Sequence, residues 1–575
     1  MRALTLRDTI ARLVSEALSA AVAEGELALS AVPEVEMERP RDEGHGDWAT
    51  NVAMKCAKEA GKPPRDVAQA IVSRIEGHDD ISAVEIAGPG FINIRVSAHA
   101  LQRVLREARD AREAFGRNDA GAGRSVQVEF VSANPVGPMH VGHGRWAALG
   151  DAIARVLEHS GWRVEREFYV NDAGVQMDVF GASVAARYLE ACGREVEFPE
   201  EGYRGAYIAE VAAEIREAHG DELCALDRAE LDVQCRELGY GLVLDRHLRR
   251  VLHEMGVDFD VWFSERTLHE RREDGTTEIE LAIDRLKERG HIFESEGALW
   301  FRSTAFGDDK DRVLRKSDGE YTYFAADIAY HWDKLDVRGF DRVIDLWGAD
   351  HHGYVARMKA AVAALGHEGQ LDLVIGQLVN LFRNGEAVRM SKRTGEMVTF
   401  EELLGEVGPD AARYWFLRRS TDQPVDFDIE LATRSTADNP VYYVQYAHAR
   451  ICSILRKAAS ERGIDAASDV DELASALVSA DADLTLLVED AELALMRRID
   501  ELGEVVDFAA RDLAPHRLTR YAEDLATSFH QFYTVCRVVS DDSEMTAARL
   551  FAVDATRLVL KTVLGLLGVS APQAM

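Results

Sequence analysis

His140 and His143 lie three residues apart where a β-rich run, Val126 to Ser132, gives way to an alanine-rich helical pattern from Trp146 to Leu157. Pro135, Gly137, Pro138 and Gly142 fall in between, which predicts a rigid, tight crossover. At the opening of a helix, side chains three apart share a face. Backbone N–H groups and the helix dipole favour an anion there. Strand, turn, paired imidazoles and helix together predict a site for a nucleotide phosphate. Zinc is the competing reading of a histidine pair, but no third ligand follows at helical spacing.

Three other stretches carry candidate chemistry. Between Arg383 and Glu396, the basic residues Arg383, Arg389, Lys392 and Arg393 are interleaved with glycine and small polar side chains. Such a loop can clamp a polyphosphate and release it, although a solvated charged loop is the commoner fate of a basic run. Tyr323 and Asp327 stand four apart at a helix start, hence on one face. Asp350 and His351 belong to a Gly348–Gly353 loop that follows a strand pattern and opens a helix from Tyr354 to Leu365. Asp172 ends a further strand pattern, Val164 to Val170, where it is either functional or a helix N-cap.

The elements that must position these residues alternate between strand and helix. Residues 124–440 predict an α/β, Rossmann-type doubly wound parallel sheet with ligands at its carboxyl edge. An acidic helical insertion at about 178–290 divides it, and the sheet is expected to resume at Gly297–Arg302, Tyr321–Phe324, Arg342–Trp347 and Leu371–Ile375. Residues 1–112 predict a small α/β domain. It has helices from Arg7 to Glu24, after Gly44–Asn51 and behind Pro63-Pro64, then strands Ile81–Ile86 and Phe91–Val96. A charged, glycine-rich linker follows. Residues 441–575 predict an all-α helical bundle in which Tyr442, Tyr443, Tyr446, His448 and Arg450 share one helix, and Arg520, Tyr521, His530, Phe532, Tyr533 and Arg537 another. Those faces can stack on unpaired bases, and Phe91 with Asn93 can do the same from a strand. A plain core accounts for the same aromatics.

Composition sets wide bounds. With 575 residues, 47% of them hydrophobic and 29% charged, the chain is an ordinary globular one of about three to five domains. No apolar run reaches the length of a membrane span, and the first residues read as an amphipathic helix, not a signal peptide. Six scattered cysteines without a Cys-x-x-Cys pair speak for a reduced, cytoplasmic protein. A net charge of −33 argues against a polyanionic partner for the surface as a whole, but binding needs only a local basic groove.

His140-Val141-Gly142-His143 resembles the His-Ile-Gly-His signature of class I aminoacyl-tRNA synthetases, and Met390-Ser391-Lys392 resembles the core of their Lys-Met-Ser-Lys-Ser signature. Ser132-Ala133-Asn134-Pro135, Gly348–Gly353 and Arg389–Arg393 are similar to bacterial arginyl-tRNA synthetases, as are Ala87–Ile94 and Tyr446–Arg450. The resemblance spans nearly the whole chain. It implies ligation of L-arginine to tRNA(Arg) through an arginyl-adenylate, with ATP and Mg²⁺, by a monomer that touches no membrane. Carried onto this chain, it makes His140, His143 and Lys392 catalytic. Gly142, Asp350, His351, Arg389, Met390, Ser391 and Arg393 would face ATP. Asp327 and Tyr323, with Glu129 as a second carboxylate, would take the guanidinium, and Ser132 and Asn134 the α-amino group. Phe91 and Asn93 would contact the tRNA D-loop, and Tyr446 and Arg450 would belong to the anticodon grip.

The second signature departs from the pattern, with Arg389 for Lys and Arg393 for Ser. In this family a degenerate signature goes with activation of arginine only in the presence of tRNA, and the same dependence is expected here. Another class I aminoacyl-tRNA synthetase is an alternative reading. A small-molecule adenylate-forming nucleotidyltransferase would need neither the Phe91 domain nor the helical bundle. A non-catalytic tRNA-binding relative would not need His140, His143 and Lys392.

Overall fold

The strand Ser125–Glu129 is the middle of a five-stranded sheet. In the computed structural model, which describes residues 5–40, 42–388 and 398–575, the strand order is Leu371–Gly376, Arg342–Gly348, Ser125–Glu129, Arg163–Val170, Val261–Ser264. Every neighbouring pair is parallel. From Ser125–Glu129 the chain winds outward in one direction to Val261–Ser264, then crosses back and winds in the other. The switch therefore lies between Ser125–Glu129 and Arg342–Gly348, and ligands of such sheets bind at the carboxyl ends flanking that point.

Two expectations need correction. The helical insertion (Val175–Ala191, Ala206–His219 and Arg228–Glu254) ends earlier than expected, because Val261–Ser264 already returns to the sheet as its edge strand. Four residues are too short for periodicity to separate from helix. Ala298–Phe301, expected in the main sheet, pairs antiparallel with Ile292–Ser295 and Arg312–Arg315 in a sheet of its own. Its alternating burial fits an antiparallel sheet with one covered face. Tyr321–Phe324 is not a strand either; Tyr323 already opens the helix Tyr323–Trp332.

At the amino-terminal side, Trp48–Thr50 is a third strand beside Phe91–Val96, where a helix lead-in is expected from sequence. The helix Ala98–Ala111 packs on Asp490–Asp500 and Ser543–Leu566 of the carboxyl-terminal helices. Arg39 strengthens that junction. Its guanidinium lies 4.1 Å over the buried Trp48 ring and bonds Asp500 at 2.9 Å and Glu504 at 2.8 Å. Among the described residues no helix is long and apolar enough to cross a membrane.

The helix that matters most, Val141–His159, is pressed against the sheet. A Cβ on Gly150 would fall 2.0 Å from the Phe130 ring, so only glycine allows this approach. Buried Arg145 gives its two terminal nitrogens to the carbonyls of Gln377 at 2.6 Å, Ser420 at 2.9 Å and Gln423 at 2.8 Å. Farther along, Asp151 pairs with the fully buried Arg413, which also donates to the Leu567 carbonyl at 3.0 Å. The helix is thus fastened both to its own domain and to the end of the chain.

Candidate active site

The strand Ser125–Glu129 stops short of the expected Ser132 because the backbone turns out of the sheet. Val131 and Ser132 have φ of 70° and 43°, the left-handed region. A β-branched residue there is strained by about 1–3 kcal/mol, the kind of cost found where geometry serves a site. The turn points the Ser132 hydroxyl back at the strand end. It donates to Glu129 Oε1 at 2.8 Å and accepts from the Tyr169 N–H at 3.1 Å. Asn134 donates to Gln176 on the helix Val175–Ala191 at 2.7 Å.

His140 is the N-cap of Val141–His159, and His143 lies in its first turn. The two rings stack with centroids 3.7 Å apart, and His143 Nδ1 accepts the His140 backbone N–H at 3.2 Å. An accepting Nδ1 directs a ring proton to Nε2. Gly142 permits the stack, since a Cβ there would meet the His140 ring at 2.9 Å. Thr399 forms an antiparallel bridge with His140, and the Phe400 N–H donates to the Met139 carbonyl at 2.9 Å. The chain thus re-enters beside the histidines just after residue 397. Lys392, Arg389, Met390, Ser391 and Arg393 lie outside the described residues.

Across the switch point lies the other half. Tyr323 and Asp327 share a face of Tyr323–Trp332 as expected; Tyr323 is 73% exposed and Asp327 half-buried. Asp327 Oδ2 accepts the Tyr354 hydroxyl at 2.5 Å. Burial pushes its carboxyl up to about 6 against that hydrogen bond, and the charges of Glu265 and Glu129 push the same way. A cation entering here would relieve that cost. Asp350 and His351 sit in a short 3₁₀ turn, Ala349–Tyr354, both solvent-exposed, with His351 Nδ1 3.2 Å from Asp350 Oδ1.

Beneath Asp327 and Glu129 runs a buried charge network that sequence reasoning missed. Lys334 is fully buried and donates to Glu129 Oε2 at 2.6 Å and to Asp345 Oδ1 at 2.9 Å. Asp345 Oδ2 also meets His331 Nε2 at 2.8 Å, and His331 Nδ1 meets the Asp327 carbonyl at 2.8 Å. One chain of hydrogen bonds therefore joins Ser132 in the turn and Glu129 at the strand end to the Asp327 backbone on the helix. Lys334 reaches it because the helix widens into a π-turn at Asp333–Val337. Burial alone would raise Asp345, but Lys334 and His331 hold it down to about 2; burial lifts Glu129, with Lys334 opposing. The missed signal was a lone carboxylate in Val343-Ile344-Asp345-Leu346, since a buried parallel strand should be apolar unless a charge is paired.

Asp172 does not cap the helix that follows it. It is buried and accepts from Ser264 Oγ at 2.7 Å and Tyr240 OH at 3.2 Å, while Gly174 takes the N-cap position. At a distance from the switch point, Phe91 is exposed but Asn93 is only 7% exposed, which leaves Phe91 as the side chain available for stacking. Tyr446 stacks between Tyr442 and His530 with centroids 6.0 Å from each, and Arg450 lies 5.0 Å over Tyr533.

A stacked histidine pair and a carboxylate pocket thus share one carboxyl edge. Residues 110–423 match the family model "tRNA synthetases class I (R), catalytic domain". Residues 8–96 match "Arginyl tRNA synthetase N terminal domain", and residues 444–575 match "DALR anticodon binding domain". The chain belongs to the arginyl-tRNA synthetase family. An arginine–tRNA ligase of Heliobacterium modesticaldum is 48% identical over 571 residues, 99% of each chain. One of Desulfosudis oleivorans is 48% identical over 572 residues, 99% of this chain and 100% of its own. The arginyl-tRNA synthetase structure of Thermus thermophilus superposes with a TM-score of 0.72, covering 99% of this chain and 100% of its own; at 23% identity it bears on the fold alone.

Proposed function

We propose that the protein is an arginine–tRNA ligase in which the switch point divides the work between nucleotide and amino acid. The enzyme uses ATP to join L-arginine to tRNA(Arg). The arginine carboxylate attacks the α-phosphorus, the bond to pyrophosphate breaks, and arginyl-adenylate forms. A ribose hydroxyl of the terminal tRNA adenosine then attacks the arginyl carbonyl and AMP leaves. The attacking carboxylate needs no base, so alignment and charge make up the barrier.

Our assignment gives His140 and His143 the phosphate. It is supported by the place of the stacked pair at a helix start, where the helix dipole favours an anion. Asp327 and Tyr323 take the guanidinium, with Glu129 as the buried second carboxylate; two parallel donors would separate arginine from lysine. Ser132 and Asn134 orient the α-amino group, and Asp350 and His351 lie toward the nucleotide. Lys392, with Arg389 or Arg393, would draw on the departing pyrophosphate. Among the described residues no cluster of three metal ligands stands by the site. Mg²⁺, a proposal here, would ride on the ATP phosphates and neutralise charge there. Phe91 and the Tyr446–Arg450 cluster would hold the tRNA. The division into residues 1–112, 124–440 and 441–575, a cytoplasmic location and a monomeric state belong to the same proposal.

The observation that carries this assignment is the half-buried Asp327, held by Tyr354 on the same sheet edge as the histidine stack. Charging assays with each amino acid against total tRNA test it, with arginine alone expected to be attached. Asp327→Ala should raise the KM for arginine far more than that for ATP; an equal loss in both would remove Asp327 from the guanidinium pocket. Arginine-dependent ATP–pyrophosphate exchange should require tRNA, and a full rate without tRNA would refute that dependence.

A further inference from the structure

Tyr354 gives its hydroxyl proton to Asp327, and a cation lies on the ring that carries that hydroxyl. Tyr354 is the last residue before the helix Val355–Leu365, so Arg357 stands three positions on and shares its face. The Arg357 guanidinium carbon lies 4.6 Å from the centre of the Tyr354 ring and 5.7 Å from that of Phe324. Those two rings meet edge to face with centroids 5.8 Å apart, and Trp347 meets Tyr354 edge-on at 6.0 Å. The negative face of an aromatic ring attracts a cation. This corner of rings therefore fixes the guanidinium, although its buried Nε has no hydrogen-bond partner among the described residues. Arg312 is a second cation near Tyr354, but Asp308 holds it at 2.7 and 2.8 Å and Asp309 pairs with it as well, so its charge is already balanced.

A phenolic oxygen has one proton and two lone pairs. Where positive charge and N–H groups lie on its outer side, the oxygen accepts there, and its proton is left for the carboxylate within. Burial and the Asp327 charge push the Tyr354 hydroxyl up, and Arg357 opposes them. A phenol polarised by a cation is a stronger donor. That donor in turn opposes the burial that lifts Asp327. Glu265 and Glu129 add to the lift, His331 opposes it, and Tyr169 faces the same carboxylate.

We propose that Arg357 is a positioning residue for arginine recognition: it lies over Tyr354, aims that hydroxyl at Asp327, and so holds the carboxylate oriented and ionised for a guanidinium. The proposal rests on the assignment of Asp327 to the guanidinium and adds the cation that acts through Tyr354.

The test is arginine activation by the full-length protein in the presence of tRNA, across pH 5 to 8, with Arg357→Gln, Arg357→Lys, Tyr354→Phe and the double variant Tyr354→Phe/Arg357→Gln. Arg357→Gln should raise the KM for arginine about fivefold, with the KM for ATP unchanged. It should also move the pH below which the KM for arginine climbs upward from about 6, by about half a unit. In the Tyr354→Phe background the same substitution should add less than about twofold, because the group it acts through is gone. Arg357→Lys keeps the charge over the ring and should stay within about twofold of the unsubstituted protein. An unchanged KM for arginine and pH profile in Arg357→Gln overturn the proposal, as do effects that multiply in the double variant. A KM in Arg357→Lys as high as in Arg357→Gln would make the contact one of packing and also overturn it. Asp327→Ala separates this inference from the reading beneath it. If Asp327→Ala leaves the KM for arginine unchanged, the guanidinium assignment fails and takes the inference with it; if that KM rises while Arg357→Gln does nothing, the inference alone fails.

Discussion

The two halves of the active edge, one proposed for the nucleotide and one for the amino acid, are built on different principles. The nucleotide half is local: His140, Gly142 and His143 lie within four consecutive residues, and one helix start aims them. It holds two stacked imidazole rings and the backbone N–H groups of a helix start. The amino-acid half is assembled from distant segments, with Glu129 and Lys334 meeting across 205 residues of sequence. It holds ionised groups out of water, and each is supported by another. A polyphosphate brings its own charge and needs directed donors. A guanidinium needs a carboxylate that is costly to bury, so a network must hold it.

The largest test of that contrast is Lys334→Met. Removing the ammonium leaves Glu129 and Asp345 buried without their cation, which should destabilise the fold by about 3–5 kcal/mol. Chemical denaturation measures this, and a loss below about 1 kcal/mol would mean that the network is not the support of the pocket. His143→Ala attacks the other half. It should lower kcat for arginine activation by about 10²–10³ while leaving the KM for arginine alone. If that KM rises equally, the two halves are not separable.

Smaller changes sharpen the comparison. Tyr354→Phe removes the one hydroxyl on Asp327 and should raise the KM for arginine about tenfold with little effect on ATP. The pH dependence of arginine binding probes the same group. Burial raises Asp327 to about 6, so below that pH the empty pocket is protonated. Arginine needs the carboxylate, so binding must expel a proton there and weakens toward tenfold per pH unit as pH falls below about 6. Above that value the KM for arginine should be flat in pH. A KM for arginine that stays level down to pH 5 would place the guanidinium elsewhere.

Much of the fold was legible because periodicity and punctuation are local. The helix Val141–His159 and the strand Arg163–Val170 follow from apolar spacing and from the proline and glycine between them. The edge strand Val261–Ser264 was not legible, since four residues beside a helical insertion carry no distinct period. Asn93 reads as an available amide on its strand, but that strand is the middle one of three and Asn93 is buried there.

What the sequence by itself determined is the kind of chemistry. Two histidines at a helix start, a basic loop and a Tyr–Asp pair at helical spacing point to a phosphate and a cation, because each motif lies within one element. Only the tertiary structure decided how they cooperate. The crossover from Val261–Ser264 to Arg342–Gly348 brings Asp345 beside Glu129, and the π-turn delivers Lys334 between them. Coulomb forces in a low-dielectric interior depend on distances across the fold, and those distances are not written in the spacing of residues along the chain.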